Sequence, residues 1–226
     1  MSERLVIPDR ADAEGELAVA HPWWQFSVRF NVAMSHSVPV ARMHERESEG
    51  VMMRWGLVPS SAKGDMARGV GACVRSDALS TAQDLRTAWM QGQRGILPLA
   101  GFYLWQRTRV GYRQPYYVRL VNRLVFGVAV LWDRSVSDSD DLVESCALVT
   151  VPANPLVVEI DGTGQMPAIL RRDDYDTWLR SSVTEATALL ETYPEIWMIS
   201  HPVAPHVNHL EFDEPWLIQP ALRDPV

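Results

Sequence analysis

The sequence is short of cysteine: Cys73 and Cys146 are the only two in 226 residues. They make no CxxC pair and no disulfide framework, which fits a reducing, cytoplasmic setting. A positive balance is also missing. Lysine plus arginine is 21 against 28 acids, a net charge of −7, with a pI near 5.4. Such a chain does not coat duplex DNA by bulk charge, although a local basic cleft stays open to it. Long apolar runs are absent. The longest, Val125 to Trp132, is interrupted by Gly127 and falls far short of the ~20 residues that cross a bilayer. Met1 to Arg10 carries charges and no apolar core, so no signal peptide and no membrane partner are expected. Phenylalanine is scarce, five residues against nine tryptophans. Most of those indoles are expected in the core, with base stacking as their other use.

What is present describes an ordinary globular chain. Its hydrophobic content is 47% and its charged content 22%, enough to bury a full core without metal or disulfide staples. Short apolar or alternating runs read as strands at Trp24–Phe30, Val38–Arg42, Val51–Leu57, Phe102–Arg107, Pro115–Val121, Leu124–Trp132 and Cys146–Val151, with Ile96–Leu97 between them. Pro98 and Pro115 are expected at strand starts, where a missing N–H is tolerated. Helices are expected from Ser80 to about Gly92, from Asn154-Pro155 to Ile160, after Asp173-Asp174, and from Thr184 to about Thr192. No linker or repeat divides the chain. The expectation is one α+β domain over residues 1–226, a mostly antiparallel sheet or barrel with short flanking helices.

Several residue groups invite chemistry. His201, His206 and His209 lie close together, but Pro202 and Pro205 force an extended path with no helix to align the rings, so no metal is expected. Gly162-Thr163-Gly164 reads as a turn rather than a phosphate loop. Cys73 reads as a small buried hydrophobe, or as a nucleophile if Arg75 stabilises its thiolate.

Seven motifs in order carry a resemblance. Met52-Met-Arg-Trp-Gly-Leu-Val-Pro-Ser60 is similar to the MRWGLVPSW signature of the SRAP (SOS response-associated peptidase) family. Arg29–Ala33 with Val38–Arg42 resembles RYNVAP…VPV, and Val74–Asp77 the end of NARSE. Leu97–Trp105 resembles VPADGFYEW, and Gln114–Val118 with Phe126–Trp132 fits the next two strands. Ala147–Leu170 is similar to IITTEAN…IHDRMPVIL, and Pro202-Val203 with Val207-Asn208 to PVS..VN. The resemblance implies the SRAP fold, a bent sheet approaching a barrel. It implies an activity in which an N-terminal cysteine traps abasic sites in single-stranded DNA as a thiazolidine. An asparagine, a glutamate and a histidine assist, and the same cysteine serves a proposed autoproteolysis.

The sequence departs at each of those positions. Ser2 stands for the cysteine, Cys73 for the asparagine and Leu104 for the glutamate. Asp161 or Thr163, depending on the direction of counting, stands for the histidine, and Gln165 for the arginine after it. A hydroxyl is a much poorer nucleophile than a thiolate, and leucine relays no proton. At positions implied to face DNA, Arg4, Arg54, Trp55, Arg75 and Trp105 keep the family's residue type. Ser61 replaces a second signature tryptophan, a loss of ~1–3 kcal/mol per stacked base. The expectation is a pseudoenzyme without cofactor that binds single-stranded or damaged DNA non-covalently in an SOS-type DNA-damage context. Two alternatives are an enzyme rebuilt on Cys73 or Asp161 and a protein-interaction module that kept only the scaffold.

Overall fold

The computed structural model describes residues 4–62, 69–107, 111–136 and 141–221. Thirteen strands are found among them: β1 (Arg4–Ile7), β2 (His21–Pro22), β3 (Arg29–Ala33), β4 (Ser37–His44), β5 (Glu47–Trp55), β6 (Cys73–Arg75), β7 (Arg94–Leu99), β8 (Gly101–Arg107), β9 (Arg113–Leu120), β10 (Phe126–Val136), β11 (Leu142–Pro152), β12 (Gln165–Pro167) and β13 (Met198–Pro202). The helices are α1 (Arg10–Leu17), α2 (Gln83–Met90), α3 (Pro155–Asp161), α4 (Tyr175–Arg180) and α5 (Val183–Ala188). The architecture is the expected α+β one, with a mostly antiparallel, partly barrel-like β core. No helix among the described residues is long and apolar enough to cross a membrane.

Five strands close on themselves. β4 pairs with β5, β5 with β11, β11 with β10, β10 with β7, and β7 with β4. Closure removes free sheet edges. Its seams are narrow. The parallel β5–β11 contact joins only Arg54 to Ser145 and Trp55 to Cys146. The β4–β7 seam joins Ala41 to Ile96 and Arg42 to Gly95. Gly95 is required there, because a Cβ would stand 2.6 Å from Val40 Cγ1 and 3.0 Å from the Ala41 carbonyl oxygen. Trp24, Trp55, Trp89 and Trp178 are fully buried, as core filling requires.

A second sheet has the strand order β13-β9-β8-β1-β3. Alternation along β8 sends Phe102 and Leu104 to the main core, and Tyr103 and Trp105 to a smaller core with Val203, Val207 and Leu217. The C-terminal segment therefore covers the face of the sheet turned away from the barrel.

Two of the expected helices carry side-chain caps, and α2 and α4 form without one. Asn154 accepts from Val157 N (3.0 Å) with Pro155 in the first turn, and Ser182 with Glu185 forms a capping box. Leu85, Ala88 and Trp89 are the buried face of α2. Elsewhere the structure corrects the reading. Residues 23–28 are irregular and the strand begins at Arg29. Trp24 and Phe26 pack edge-to-face instead (5.6 Å), which mimics strand alternation. The last helix stops at Ala188. Pro98 and Pro115 lie inside β7 and β9 rather than at their starts. Pro98 is tolerated because β4 has ended beyond Ile96. At Pro115 the carbonyl still accepts from Val203 N (2.9 Å), and Gln114 Nε2 supplies the Val203 carbonyl with a donor (2.9 Å).

Candidate nucleic-acid interface

The turn from Ala33 to Ser37 links β3 to β4 and is fixed by short-range bonds. His36 N donates to the Ala33 carbonyl (3.1 Å), and Ser35 N to the Trp55 carbonyl (2.7 Å). Trp55 N donates back to His36 O (2.8 Å). Ser35 is held left-handed at φ +75°, a strained setting for a residue with a side chain. The sheet registers place two arginines around this turn. Arg4 pairs with Ala33 at its start, and Arg54 pairs with Ser37 at its end. The Arg54 guanidinium reaches back across it, donating to Ser35 Oγ (2.9 Å) and to the Gly56 carbonyl (2.8 Å). Gly56 makes room, since a Cβ there would stand 3.1 Å from both Arg54 Nη1 and Met34 Cγ.

Arg29 joins them from the far end of β3. Its guanidinium is ion-paired with Asp213, whose other carboxylate oxygen accepts from Phe30 N (2.6 Å) and Asn31 N (2.8 Å). The His36 ring is in the same field. Its Nδ1 accepts from Ala33 N (3.3 Å). Its pKa lies below the ordinary histidine value, first because the ring is partly buried and then because Arg29 and Arg4 repel a proton, against the pull of Asp213. A cation-rich corner thus exists on a chain of net charge −7.

The positions implied for covalent chemistry are Ser2, Cys73, Leu104 and Asp161 or Thr163. Ser2 falls outside the described residues. Cys73 is half-buried on β6, opposite Leu148 of β11. Leu104 has no exposed surface and sits in the main core. Asp161 ends α3 and receives a hydrogen bond from the Thr163 hydroxyl, across the left-handed Gly162 that stops the helix. Gln165 Oε1 and the Val74 carbonyl lie 3.0 and 3.3 Å from the Thr150 hydroxyl. Thr150 pairs with Arg75, so β6 and β12 meet across β11. The other cysteine, Cys146, is sealed in the barrel and burial pushes its thiol up to about 12, which makes it inert.

The remaining expected DNA contacts divide. Trp55 is fully buried and its Nε1 donates to the Ala72 carbonyl (2.9 Å). A base cannot stack on it without opening the core. Trp105, 8% exposed, donates to Asn208 Oδ1 (2.9 Å) in the smaller core. Arg75 is exposed, but Asp77 takes its guanidinium in a two-point fork at 2.9 and 2.5 Å. Of the three clustered histidines, His206 and His209 share Phe212 as a packing partner. His201 Nε2 contacts the Ile218 carbonyl (2.8 Å), and His206 packs edge-on to Phe212 and Trp216, each at 5.3 Å. Arg29 and His36, which share this corner, were not among the expected site residues. Their motif was visible, but the acid that orients Arg29 lies at Asp213.

Comparison with known proteins gives a consistent match. The sequence model described as SOS response associated peptidase (SRAP) matches residues 6–210. The abasic site processing protein YoqW of Bacillus subtilis (strain 168) is 25% identical over 201 residues, covering 88% of each chain. The abasic site processing protein HMCES of Mus musculus is 26% identical over 243 residues, covering 88% of this chain and 68% of its own. A crystal structure from Bacteroides thetaiotaomicron superimposes with a TM-score of 0.77 at 24% identity, covering 85% of each chain. One from Bordetella bronchiseptica gives 0.78 at 22%, covering 90% of this chain and all of its own. With the family model spanning nearly the whole of the described barrel and second sheet, this chain belongs to the SRAP family.

Proposed function

We propose that this chain binds single-stranded or damaged DNA non-covalently, with phosphates seated over the Ala33–Ser37 turn. The observation that carries the reading is the placement of Arg4 and Arg54 on either side of that turn, beside Arg29, which Asp213 holds. Guanidinium groups bind phosphate through paired N–H donors, and a local excess of them outweighs a distant negative balance within a Debye length of about 8–10 Å. The abasic site processing relatives supply damaged DNA as the class of partner. Covalent trapping is not expected. Leu104, buried among apolar side chains, relays no proton, and Cys73 replaces an amide.

The test is incubation with abasic single-stranded DNA. The expected result is no band that survives a denaturing gel. A surviving band overturns the pseudoenzyme reading, and mass spectrometry would then name the residue used. In native titrations Arg54→Ala is expected to weaken binding and flatten the log–log salt dependence by about one unit or less. Arg75→Ala is expected to do the same more weakly, because Asp77 already neutralises that guanidinium. Asp77→Asn should therefore strengthen binding. No binding at low salt by the unmodified chain would favour the interaction-module reading.

A further inference from the structure

A groove of about 230 Å³ opens beside the turn, between β1 and β3 on one side and β4 and β5 on the other. Its apolar lining comes from Ile7, Phe26, Pro39 and Met52, and Gln25 and Ser37 add polar groups. Arg29 also lines it. Ser37 is shared. It ends the turn and pairs with Arg54, so the groove begins where the arginine cluster stops. Phe26 is braced from behind by Trp24, edge-to-face at 5.6 Å. Trp24 is itself fully buried and anchored by its Nε1 to Glu14 (3.1 Å). Gln25 is held as well, its carbonyl oxygen accepting from Arg10 Nη1 (3.1 Å). That leaves its amide NH2 as the donor end of the side chain.

Resting on the phosphate-binding reading above, we propose that this groove is a base subsite: one nucleobase of the bound single strand stacks on Phe26, with its acceptor edge at Gln25 and Ser37. The volume lies below the ~300 Å³ at which pockets begin to take whole drug-sized ligands, which suits a single planar ring. The flanking charge is complementary, since Arg54 pairs with Ser37 at the edge of the groove, and Arg29, held by Asp213, lines it. Every base offers a π-face and at least one acceptor, so the subsite is tolerant of sequence. It also supplies a stacking surface that Ser61 no longer provides.

Two fluorescent probes of equal length distinguish the steps: a thymidine oligomer and a base-free oligomer of tetrahydrofuran abasic units. The unmodified chain is expected to bind the thymidine oligomer about 5- to 150-fold more tightly, the value of one base stack. Phe26→Ala should collapse that ratio towards one and leave affinity for the base-free probe unchanged. Phe26→Trp should preserve the ratio. Ser37→Leu, at an exposed strand position, obstructs the groove and should also collapse it, which keeps the test intact if Phe26→Ala melts early. Equal binding of both probes by the unmodified chain, or a ratio that survives Phe26→Ala and Ser37→Leu in folded protein, overturns the base subsite and leaves the phosphate reading standing. Failure to bind either probe overturns both.

Discussion

Replacing Arg42 with methionine is expected to cost about 3–5 kcal/mol of stability, the usual penalty for removing one side of a buried ion pair. At about 2–4 °C per kcal/mol for a chain of this size, the melting temperature should fall by roughly 6–20 °C. Arg42 lies on β4 with its guanidinium almost wholly buried. It donates from Nε to Glu49 Oε1 on β5 (2.7 Å) and from Nη1 to Glu144 Oε1 on β11 (2.8 Å). It also covers the Trp132 ring of β10 at 4.5 Å. One side chain therefore ties four of the five barrel strands together. Its loss strands Glu49 in a low-dielectric setting, while Glu144 keeps Arg134 Nη2 (2.6 Å). The double variant Arg42→Met/Glu49→Gln should recover much of the deficit, because Glu144 keeps Arg134 and no buried carboxylate is left unpaired. Calorimetry checks both, and a wild-type melting temperature for Arg42→Met would sink the account.

Acid should act on the same network. Burial pulls the Glu144 pKa up, but hydrogen bonds from Arg42 and Arg134, together with their charges, outweigh it and leave the carboxyl below its ordinary 4.5. A depressed folded pKa contributes stability that is complete above the unfolded value and is lost as pH falls through the folded one. Melting temperature should thus decline below about pH 4.5, and less so in Glu144→Gln.

The second large effect is expected at Leu104. Leu104→Glu puts an ionisable group where no surface is exposed. A carboxyl buried among apolar side chains has its pKa raised by ~3–5 units. At 1.36 kcal/mol per unit, the variant should lose about 4–5 kcal/mol at pH 8 and only about 1 kcal/mol from this source at pH 5. The sign is opposite to that of Glu144. Here the folded pKa lies above the unfolded one, so stability returns as pH falls. Leu104→Met, which conserves volume, should cost under about 1.5 kcal/mol at either pH. Paired thermal melts at the two pH values check it. A pH-independent deficit would mean that the carboxylate finds a partner or reaches water. Combining Leu104→Glu with Ser2→Cys and Cys73→Asn tests recovery of the family chemistry only if this variant folds.

The fold was legible where the sequence carries a local rule. β4, β5, β8, β9, β10 and β11 each contain or overlap an apolar run, and α3 announces itself by Asn154-Pro155. α1 was missed because its only buried residue is Ala13, so it shows no apolar stripe. Asp9, which caps it through Ala11 N (2.9 Å), was the signal to heed. The closing seams were unreadable because two-residue pairings such as Arg54–Ser145 leave no periodicity. The candidate corner was half legible. Arg4 and Arg54 follow from motif positions, but the motif does not say that Trp55 is sealed inward or that Asp77 covers Arg75. Those facts depend on which face a strand presents and on a carboxylate two residues away.

The tie between Asp213 and β3 also has a consequence for how the protein is made. Phe30 N and Asp213 are 183 positions apart in the chain. A ribosome adding about 5–20 residues per second needs roughly 10–40 s to cover that distance. Throughout that interval the nascent strand carries Arg29 without the carboxylate that orients it, and its Phe30 and Asn31 amides lack their Asp213 acceptor. The arginine corner is therefore completed only after Asp213 has been added, later than the synthesis of every barrel strand that supports it.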